Sequence, residues 1–324
     1  MKVVIITGAT GFVGANLARK LLAAGDRVHL LLRSNHASWR IEEIRDYCQL
    51  HVVDLQDREK LSQTVSQIRP DWIFHLAANG AYSWQTDVDE IINTNVIGTV
   101  NLVRSCAQVG FDCFVNTGSS SEYGFKDHPP AEDEHVEPNS FYSVAKTSAT
   151  MFCRYFAQAQ KLKIPTLRLY SVYGPYEEPN RLMPTVIING LRGQLPPLVD
   201  PTIARDYVSA DDVCQAYIQA ATTELSDLGA VYNVGSGVQT SLKDVVDVAC
   251  RVLEIKSEPQ WGSMPNRKWD TSVWVANNEK IQKELGWHAN DDFESGFVKM
   301  VDWFRGDTSM RKFYESKIEN AVNA

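Results

Sequence analysis

The chain has 324 residues, of which 44% are hydrophobic and 22% charged, a composition typical of a globular protein with a substantial core. A formal net charge of −8 disfavours nucleic acid as a partner, and no apolar run approaches the roughly 20 residues of a membrane span. The first ten residues show no signal-peptide cleavage pattern, and the six cysteines are scattered without a CxxC pair. We therefore expect a reduced, cytoplasmic protein with no metal site and no membrane partner.

Short β-branched runs alternate with helical patterns through the first half of the chain. The runs predict strands at residues 2–7, 27–32, 50–54, 72–77, 113–117 and 166–171. Strands that alternate with helices indicate an α/β fold, a parallel sheet covered by helices on both faces. Ligands of such sheets bind at the carboxyl ends of the strands.

The helical patterns have identifiable starts and stops. Val13, Leu17 and Leu21 recur at helical spacing, and Gly25 supplies a stop signal. A longer helix is predicted around residues 91–102. Another is predicted over residues 139–160, capped by Asn139 or Ser140.

The pattern changes after residue 172, where a loop rich in proline and charge begins. Further elements are predicted as a strand at 231–234 and helices near 241–254, 277–285 and 292–304, and the polar last twenty residues suggest a loosely docked helix. We predict one domain over residues 1–172, to which residues 206–240 return. A smaller lobe would then comprise residues 173–205 and 241–324.

A glycine-rich segment, "TGATGFVG", places Gly8, Gly11 and Gly14 between the first predicted strand and the first helix. Glycines permit the tight turn and let the backbone approach a pyrophosphate, which then lies on the helix N-terminus. A glycine triplet alone is weak evidence, but this one opens the strand–helix unit in which such a loop binds a dinucleotide. The alternative is a turn that is merely rich in glycine.

Tyr142 and Lys146 are four residues apart and therefore share one face of the predicted helix. A free phenol has a pKa of about 10, too high for ready proton exchange at neutral pH, and a nearby ammonium favours the phenolate. Such a pair could pass a proton to or from a substrate oxygen while a hydride moves. The YxxxK spacing also occurs by chance.

Together with "FHLAA" (74–78), "NTNVIGT" (93–99), "VYGP" (172–175) and "RDYVSADDV" (205–213), these motifs resemble the extended short-chain dehydrogenase/reductase family. More narrowly, the chain looks like the nucleotide-sugar epimerases, dehydratases and 4-ketoreductases of that family. The resemblance implies a Rossmann-type doubly wound parallel sheet that binds NAD(P), with a smaller α/β C-terminal lobe for a nucleoside-diphosphate sugar. The cofactor residues that it implies are Gly8, Thr10, Gly11, Phe12, Val13, Gly14, Arg33, Ser34, Asp54, Leu55, Leu76, Ala77, Ala78, Asn95, Tyr142, Lys146, Tyr170 and Val172. His75 is expected to pack beside the cofactor without taking part in chemistry.

The end of the second predicted strand bears on the choice of cofactor. A carboxylate at this place would accept hydrogen bonds from the adenosine ribose hydroxyls and repel a 2′-phosphate. This chain instead has Arg33 and Ser34, with Arg40 close behind, and a guanidinium and a hydroxyl suit a 2′-phosphate. We therefore predict NADP(H) in preference to NAD(H), the alternative being that Arg33 is a solvated surface residue. Asp54 resembles the family residue at the adenine ring, but it could equally cap its strand.

The segment "TGSSSEYG" (117–124) supplies a third catalytic candidate. In the family a Ser or Thr four residues before the tyrosine of the "YG" pair hydrogen-bonds the reacting oxygen, and that count gives Ser119. Ser120 and Ser121 then occupy the places where the 4,6-dehydratases carry acidic residues. Dehydration needs a carboxylate to remove the C5 proton and an acid to expel the C6 hydroxyl. Glu122 is one position late, and could serve only if the loop were one residue shorter.

The resemblance also implies substrate contacts in the second half. Arg205 and Arg267 match positions that clamp the pyrophosphate, for which bidentate guanidinium groups are suited, although Arg205 could instead form a surface pair with an aspartate. Arg181 and Met183 resemble the loop over the nucleotide, and Ser171 stands where the family usually has Asn. The predicted substrate-binding residues are therefore Ser119, Ser120, Ser121, Ser171, Arg181, Arg205 and Arg267.

These features predict an NADP(H)-dependent enzyme that moves a hydride at C4 of a nucleoside-diphosphate sugar, with Ser119, Tyr142 and Lys146 as catalytic residues. The main prediction is a 4-keto-6-deoxy-sugar reductase. The alternatives are a C4 epimerase with retained NAD(P), a 4,6-dehydratase, and a non-catalytic NADP(H)-sensing regulatory protein.

The resemblance further implies a homodimer. Family members pair through the helix that carries the YxxxK pair and the helix before it, here residues 140–159 and 91–109. The residues that could form a shared apolar bundle are Val100, Val103, Phe152 and Phe156. The competing view is that these side chains only face the sheet.

Overall fold

The structure, a computed structural model, describes residues 1–265 and 271–322. The strands of these residues are β1 (Val3–Thr7), β2 (Arg27–Leu32), β3 (Gln49–Val52), β4 (Trp72–His75), β5 (Cys113–Ser119), β6 (Thr166–Leu169), β7 (Ser171–Tyr173), β8 (Ala204–Ser209), β9 (Val231–Val234) and β10 (Gln239–Ser241). Seven of them form one parallel sheet in the order β3-β2-β1-β4-β5-β6-β9. The predicted doubly wound α/β fold is confirmed.

The helices connect and cover these strands. They are α1 (Phe12–Ala23), α2 (Arg58–Ile68), α3 (Val88–Ile92), α4 (Gly98–Val109), α5 (Phe141–Gln160), α6 (Leu182–Gly190), α7 (Ala210–Thr222), α8 (Leu242–Leu253), α9 (Glu279–Leu285), α10 (Phe293–Gly306) and α11 (Thr308–Val322). One π-helical turn, Asn93–Ile97, joins α3 to α4, and short 3₁₀ turns cover Glu42–Tyr47 and Ser120–Tyr123. No helix of the described residues is long and apolar enough to cross a bilayer.

Alternation along the strands divides the main core between the two faces of the sheet. In β1, Val4 and Ile6 join the cluster under α1, α7 and α9, whereas Ile5 joins the cluster under α2, α4 and α5. Successive side chains of a strand point to opposite faces, so a continuous apolar run serves both layers. The predicted stop of α1 is confirmed, since Gly25 follows it at φ +82°.

Two predicted strands differ from the structure. Residues 166–171 were expected to form one strand, but the chain leaves the main sheet at Tyr170, so that β6 ends and β7 begins a second sheet. The strand within 205–213 was expected to return to the main sheet, yet β8 pairs with β7 and β10 in that second sheet. Only α7 and β9 return, α7 against α1 and β9 beside β6.

A separate apolar cluster lies around α6, α8, α10 and α11. Met183 is 1% exposed within it, so its side chain packs into this cluster, and the role of its loop over a nucleotide stays a prediction. Tyr314 of α11 is fully buried, and α11 is therefore firmly packed rather than loosely docked. The division into a larger domain and a smaller lobe stays a prediction.

Candidate active site

The turn from β1 to α1 requires glycine at two positions. Gly8 has φ +70°, and a Cβ there would lie 2.5 Å from the carbonyl carbon of Leu76. A Cβ on Gly14 would lie 2.4 Å from the Gly8 carbonyl oxygen. Gly11 precedes α1 without any side-chain capping bond, so the first amides of the helix are not occupied by a capping side chain. This turn fits a dinucleotide pyrophosphate, which helix N-termini attract.

The residues predicted at the adenosine end lie directly after β2 and on the segment after β3. Arg33 is exposed and donates from Nη1 to Glu90 Oε1 of α3 at 3.0 Å. Leu55 is buried beneath Gly98 and accepts a bond from the Asn101 amide through its carbonyl oxygen at 3.0 Å. The Asp54 carboxylate accepts from the Gln56 amide at 2.9 Å, so Asp54 caps its own turn.

Arg40 is engaged in internal contacts and does not face a 2′-phosphate, contrary to the expectation from its position. It is 6% exposed, and its guanidinium donates to the carbonyl oxygens of Tyr176 at 2.8 Å and Thr10 at 3.3 Å. A third contact, at 2.8 Å, goes to the Glu178 carboxylate. Arg40 therefore fixes the glycine turn against the loop after β7.

Two buried polar residues lie at the expected nicotinamide end of the site. His75 exchanges hydrogen bonds with Thr7 at 2.7 Å and Thr99 at 2.8 Å, and burial lowers its pKa to about 3, so the ring stays neutral. The Asn95 amide group contacts the backbone N–H and carbonyl of Asn79, at 3.2 and 2.7 Å. These bonds hold the loop after β4 in place, and the predicted contact of Asn95 with the cofactor stays a prediction.

Ser119, Tyr142 and Lys146 come together where β5 ends against α5. Ser140 is the N-cap that positions this helix, since its hydroxyl accepts from the Ser143 amide at 3.1 Å. Lys146 is 4% exposed and donates to the Thr117 carbonyl oxygen at 2.6 Å. Burial lowers the pKa of Lys146 to about 8, which makes its charge sensitive to mildly alkaline pH.

The phenol of Tyr142 differs from the expectation of a lowered pKa. Burial raises the pKa of Tyr142 to about 12, although the hydrogen bond with Ser119 opposes the rise. The Lys146 ammonium is directed to a backbone carbonyl rather than to the phenol, which explains why burial dominates. The phenol is therefore protonated at neutral pH in this structure.

Glu122 is a structural residue. Its carboxyl is fully buried, and Oε2 accepts from Arg168 Nε at 2.9 Å. The other oxygen accepts from the Ser119 amide at 2.8 Å and the Thr150 hydroxyl at 3.0 Å. The hypothesis that a shorter loop would present Glu122 to the substrate is therefore wrong, because the carboxylate is turned into the core.

The serine run adjoins a small cavity. Ser119 Oγ contacts Ser121 Oγ at 2.8 Å, and Ser120 lines the cavity with Tyr170 and Trp274. The Tyr170 hydroxyl is buried without a hydrogen-bond partner among the described residues, and burial raises its pKa. A polar ligand group could satisfy this hydroxyl.

The predicted substrate residues of the second half of the chain lie on several elements. Arg181 is the N-cap residue of α6, half exposed, with Nε 3.8 Å from Glu177 Oε1. Arg205 of β8 donates to the Ala204 carbonyl at 2.7 Å, and its guanidinium carbon lies 5.6 Å from the ring centre of Trp274. Ser171 opens β7. Arg267 lies outside the described residues.

Sequence patterns missed two groups near this site. Tyr82, in the loop after β4, stacks on Trp84 at 4.6 Å, and its proximity contributes to the raised pKa of Tyr142. Glu177 is buried, and burial raises the pKa of its carboxyl to about 8. Two aromatic residues in a polar loop were the only signal for Tyr82, and the charged loop gave none for Glu177.

Comparisons with known proteins agree with this arrangement. The family model described as "NAD dependent epimerase/dehydratase family" matches residues 4–235. A UDP-glucose 4-epimerase of Mycolicibacterium smegmatis is 29% identical over 313 residues, covering 93% of this chain and 98% of the relative. A dTDP-glucose 4,6-dehydratase of Neisseria gonorrhoeae is 26% identical, with 96% and 98% covered. The solved structure of a UDP-glucose 4-epimerase of Thermus thermophilus in complex with NAD has a TM-score of 0.81 and 26% identity, covering 94% of this chain and 99% of that one.

Proposed function

The chain belongs to the NAD dependent epimerase/dehydratase family, and on that premise we propose that it reduces a 4-keto-6-deoxy nucleoside-diphosphate sugar at C4, using NADP(H). The observation that carries the proposal is the turn after β5. Ser119 and Tyr142 meet there, while the two following positions are serines and the carboxylate of Glu122 is buried against Arg168. Hydride chemistry at C4 needs a proton donor but no base at C5, so this turn suits a reductase better than a dehydratase.

Each residue of the trio has a defined task in this proposal. Tyr142, with its pKa raised to about 12, delivers a proton to the C4 oxygen as that oxygen gains charge. Ser119 donates a hydrogen bond to the same oxygen, and this bond strengthens as the alkoxide develops. Lys146 fixes the end of β5 through its hydrogen bond to Thr117. Its positive charge also stabilises the phenolate that remains when Tyr142 gives up its proton. A bound nicotinamide supplies the hydride.

The cofactor and substrate assignments rest on the elements that frame the trio. The glycine turn suits a pyrophosphate, and the guanidinium of Arg33, directly after β2, suits a 2′-phosphate. Arg181 and Arg205 are the described cations that we assign to the substrate diphosphate. Relatives that act on UDP-glucose and dTDP-glucose support a nucleoside-diphosphate sugar as the substrate class.

A C4 epimerase is the second candidate. It is favoured by the similarity along 93% of the chain to a UDP-glucose 4-epimerase, and by the NAD of the Thermus thermophilus structure. An epimerase would use Ser119, Tyr142 and Lys146 in the same way, but it would return the hydride to the opposite face of the sugar.

Product analysis distinguishes the candidates. The purified protein is incubated with NADPH and a 4-keto-6-deoxy sugar nucleotide, and separately with UDP-glucose and dTDP-glucose without added cofactor. Stoichiometric oxidation of NADPH in the first reaction supports the reductase, whereas a C4-epimeric hexose in the second supports the epimerase. Tyr142→Phe should lower the rate by about 10²–10⁴-fold in either case. A 4-keto-6-deoxy product from the parent hexose would overturn the proposal, and no turnover of any substrate would favour a regulatory protein.

A further inference from the structure

An ion pair closes over the adenosine end of the candidate cofactor site. Arg33 follows β2 and Glu90 lies in α3, and Arg33 Nη1 donates to Glu90 Oε1 at 3.0 Å. The two residues are 57 positions apart in the chain, so the contact joins two separate elements at the carboxyl edge of the sheet.

The frame that carries Glu90 is well fixed. Asp87 caps α3 by accepting from the Glu90 amide at 3.1 Å. A Cβ on Gly80 would lie 2.9 Å from Ile91, and one on Gly98 would lie 3.1 Å from the Leu55 Cβ, so α3 and α4 fit closely over the loops after β3 and β4. Glu90 is therefore held on the wall of the site that faces Arg33.

The chemistry of the pair bears on the cofactor. An adenosine ribose with a free 2′-hydroxyl is recognised by a carboxylate acceptor, which this chain lacks at the end of β2. A 2′-phosphate is recognised by a guanidinium. A neighbouring carboxylate repels the phosphate and so offsets part of that attraction. Arg33 and Glu90 offer both groups at one place.

We propose that Glu90 is a specificity-determining residue for the cofactor. Its carboxylate replaces the acidic residue missing from β2 when the ribose is unphosphorylated, and it competes with a 2′-phosphate for Arg33. The side chains of Arg33 and Glu90 are 53% and 45% exposed, so their pair is weak enough for either cofactor to open it. The inference rests on the proposed dinucleotide site, but it predicts that NAD(H) is accepted alongside NADP(H).

The test measures binding to the whole protein by calorimetry. The probes are NADP⁺, NAD⁺, adenosine 2′,5′-bisphosphate and adenosine 5′-monophosphate. Glu90→Gln should tighten binding of the two 2′-phosphorylated probes about fivefold, the size of one exposed ion pair, and weaken the other two. Asp89→Asn removes a charge from the same helix but no ion pair to Arg33 within the described part of the chain, and should leave the NADP⁺ to NAD⁺ affinity ratio unchanged.

The outcomes separate this inference from the proposed function. Normal NAD⁺ or NADP⁺ binding with an unchanged affinity ratio in Glu90→Gln overturns the role of Glu90 alone. An equal shift in Asp89→Asn also overturns it, since a general charge effect would then suffice. Failure of the wild type to bind any of the four probes overturns the dinucleotide site itself.

Discussion

Glu122 and Arg168 form a buried ion pair directly behind the candidate catalytic serine, with side chains 0% and 1% exposed. The Arg168 guanidinium also donates to the Tyr123 hydroxyl at 2.7 Å and to the Glu132 carbonyl at 3.2 Å. Each buried charge is thus paired and hydrogen-bonded, the condition under which such pairs persist. The pair fixes the turn on which Ser119 lies.

Glu122→Gln should therefore damage stability rather than chemistry. It leaves the Arg168 guanidinium buried without a counter-charge, which typically costs about 3–5 kcal/mol in the free energy of unfolding. Urea denaturation measures the loss, and a Glu122→Leu/Arg168→Met double variant should recover most of it. Unchanged stability with a drop of orders of magnitude in turnover would instead show that Glu122 acts on the substrate.

Lys146 makes stability depend on pH. Its pKa is about 8 in the folded protein against 10.5 for the free side chain, so the unfolded chain binds more protons between these values. The free energy of unfolding should then rise as pH increases through this window. Lys146→Met should remove the rise and stabilise the protein at pH 7 by on the order of 1–3 kcal/mol, while abolishing turnover.

Denaturation midpoints at pH 7 and pH 9.5 check this prediction. The same substitution at exposed Lys312 serves as the control for added hydrophobicity. A Lys146→Met variant that is less stable at pH 7 than the wild type would contradict it.

The sequence predicts where the motif residues lie, but not which residues their side chains contact. The sequence places Tyr142 and Lys146 on one helix face because their spacing is local. It does not show that Arg40 turns back to Thr10, or that Arg33 meets Glu90, because those contacts depend on how distant elements pack. Whether Glu122 faces substrate or core is decided by Arg168 on β6, 46 residues away.

Helix α5 carries an apolar stripe on its outer side. Phe141, Val144, Met151 and Tyr155 are all exposed and recur at helical spacing.

Ile97, at the junction with α4, is also exposed. Val103 was expected in the dimer bundle, but it is fully buried in the core and cannot belong to it. Phe152 and Phe156 are partly buried against the core. The stripe is the surface through which we propose that two copies pair.

Tyr155→Glu should convert a dimer to a monomer, because a charge would be buried in an apolar interface. Sedimentation at micromolar concentration measures the mass, which should be twice that of one chain for the wild type. Val238→Glu, at an exposed apolar position outside α5, is the matched control and should stay dimeric. A wild-type protein of single-chain mass would contradict the proposed homodimer.

Element identity was largely predictable, whereas sheet membership was not. The helices at 139–160 and 241–254 were located because caps and apolar spacing are local signals. The break at Tyr170 leaves no mark on the alternation of residues 166–173. Which sheet β8 joins depends on its pairing with β7 and β10, a contact between segments far apart in the chain.

An aromatic cluster connects the smaller lobe to the glycine turn between β1 and α1. It consists of Trp39, Tyr176, Trp303, Phe313 and Tyr314. Tyr314 also donates its hydroxyl to the Glu177 carbonyl oxygen. Arg40, stacked on Trp39 at 4.1 Å, continues the connection to Thr10 in the glycine turn. These contacts connect helix α11 to the glycine turn before α1.

Tyr314→Ala should lower the free energy of unfolding by about 3–5 kcal/mol, as for other large aromatic truncations. Because Trp39 loses a packing partner, NAD⁺ binding should also weaken. Phe297→Ala, fully buried in the same lobe but without a ring contact to Trp39 among the described pairs, should destabilise comparably and spare the affinity. Thermal denaturation and NAD⁺ titration give both readouts. Equal loss of affinity in the two variants would contradict the coupling.

The strand order has a consequence for biosynthesis. β9 completes the main sheet beside β6, yet it is translated about 60 residues after β6, behind β7, α6, β8 and α7. A nascent chain that ends before residue 231 exposes the open hydrogen-bonding edge of β6, a template for association with other chains. Fragments cut at residue 200 should therefore aggregate or be retained by chaperones. Ribosome stalling within residues 170–230 would likewise yield chains that associate wrongly, rather than monomeric inactive chains.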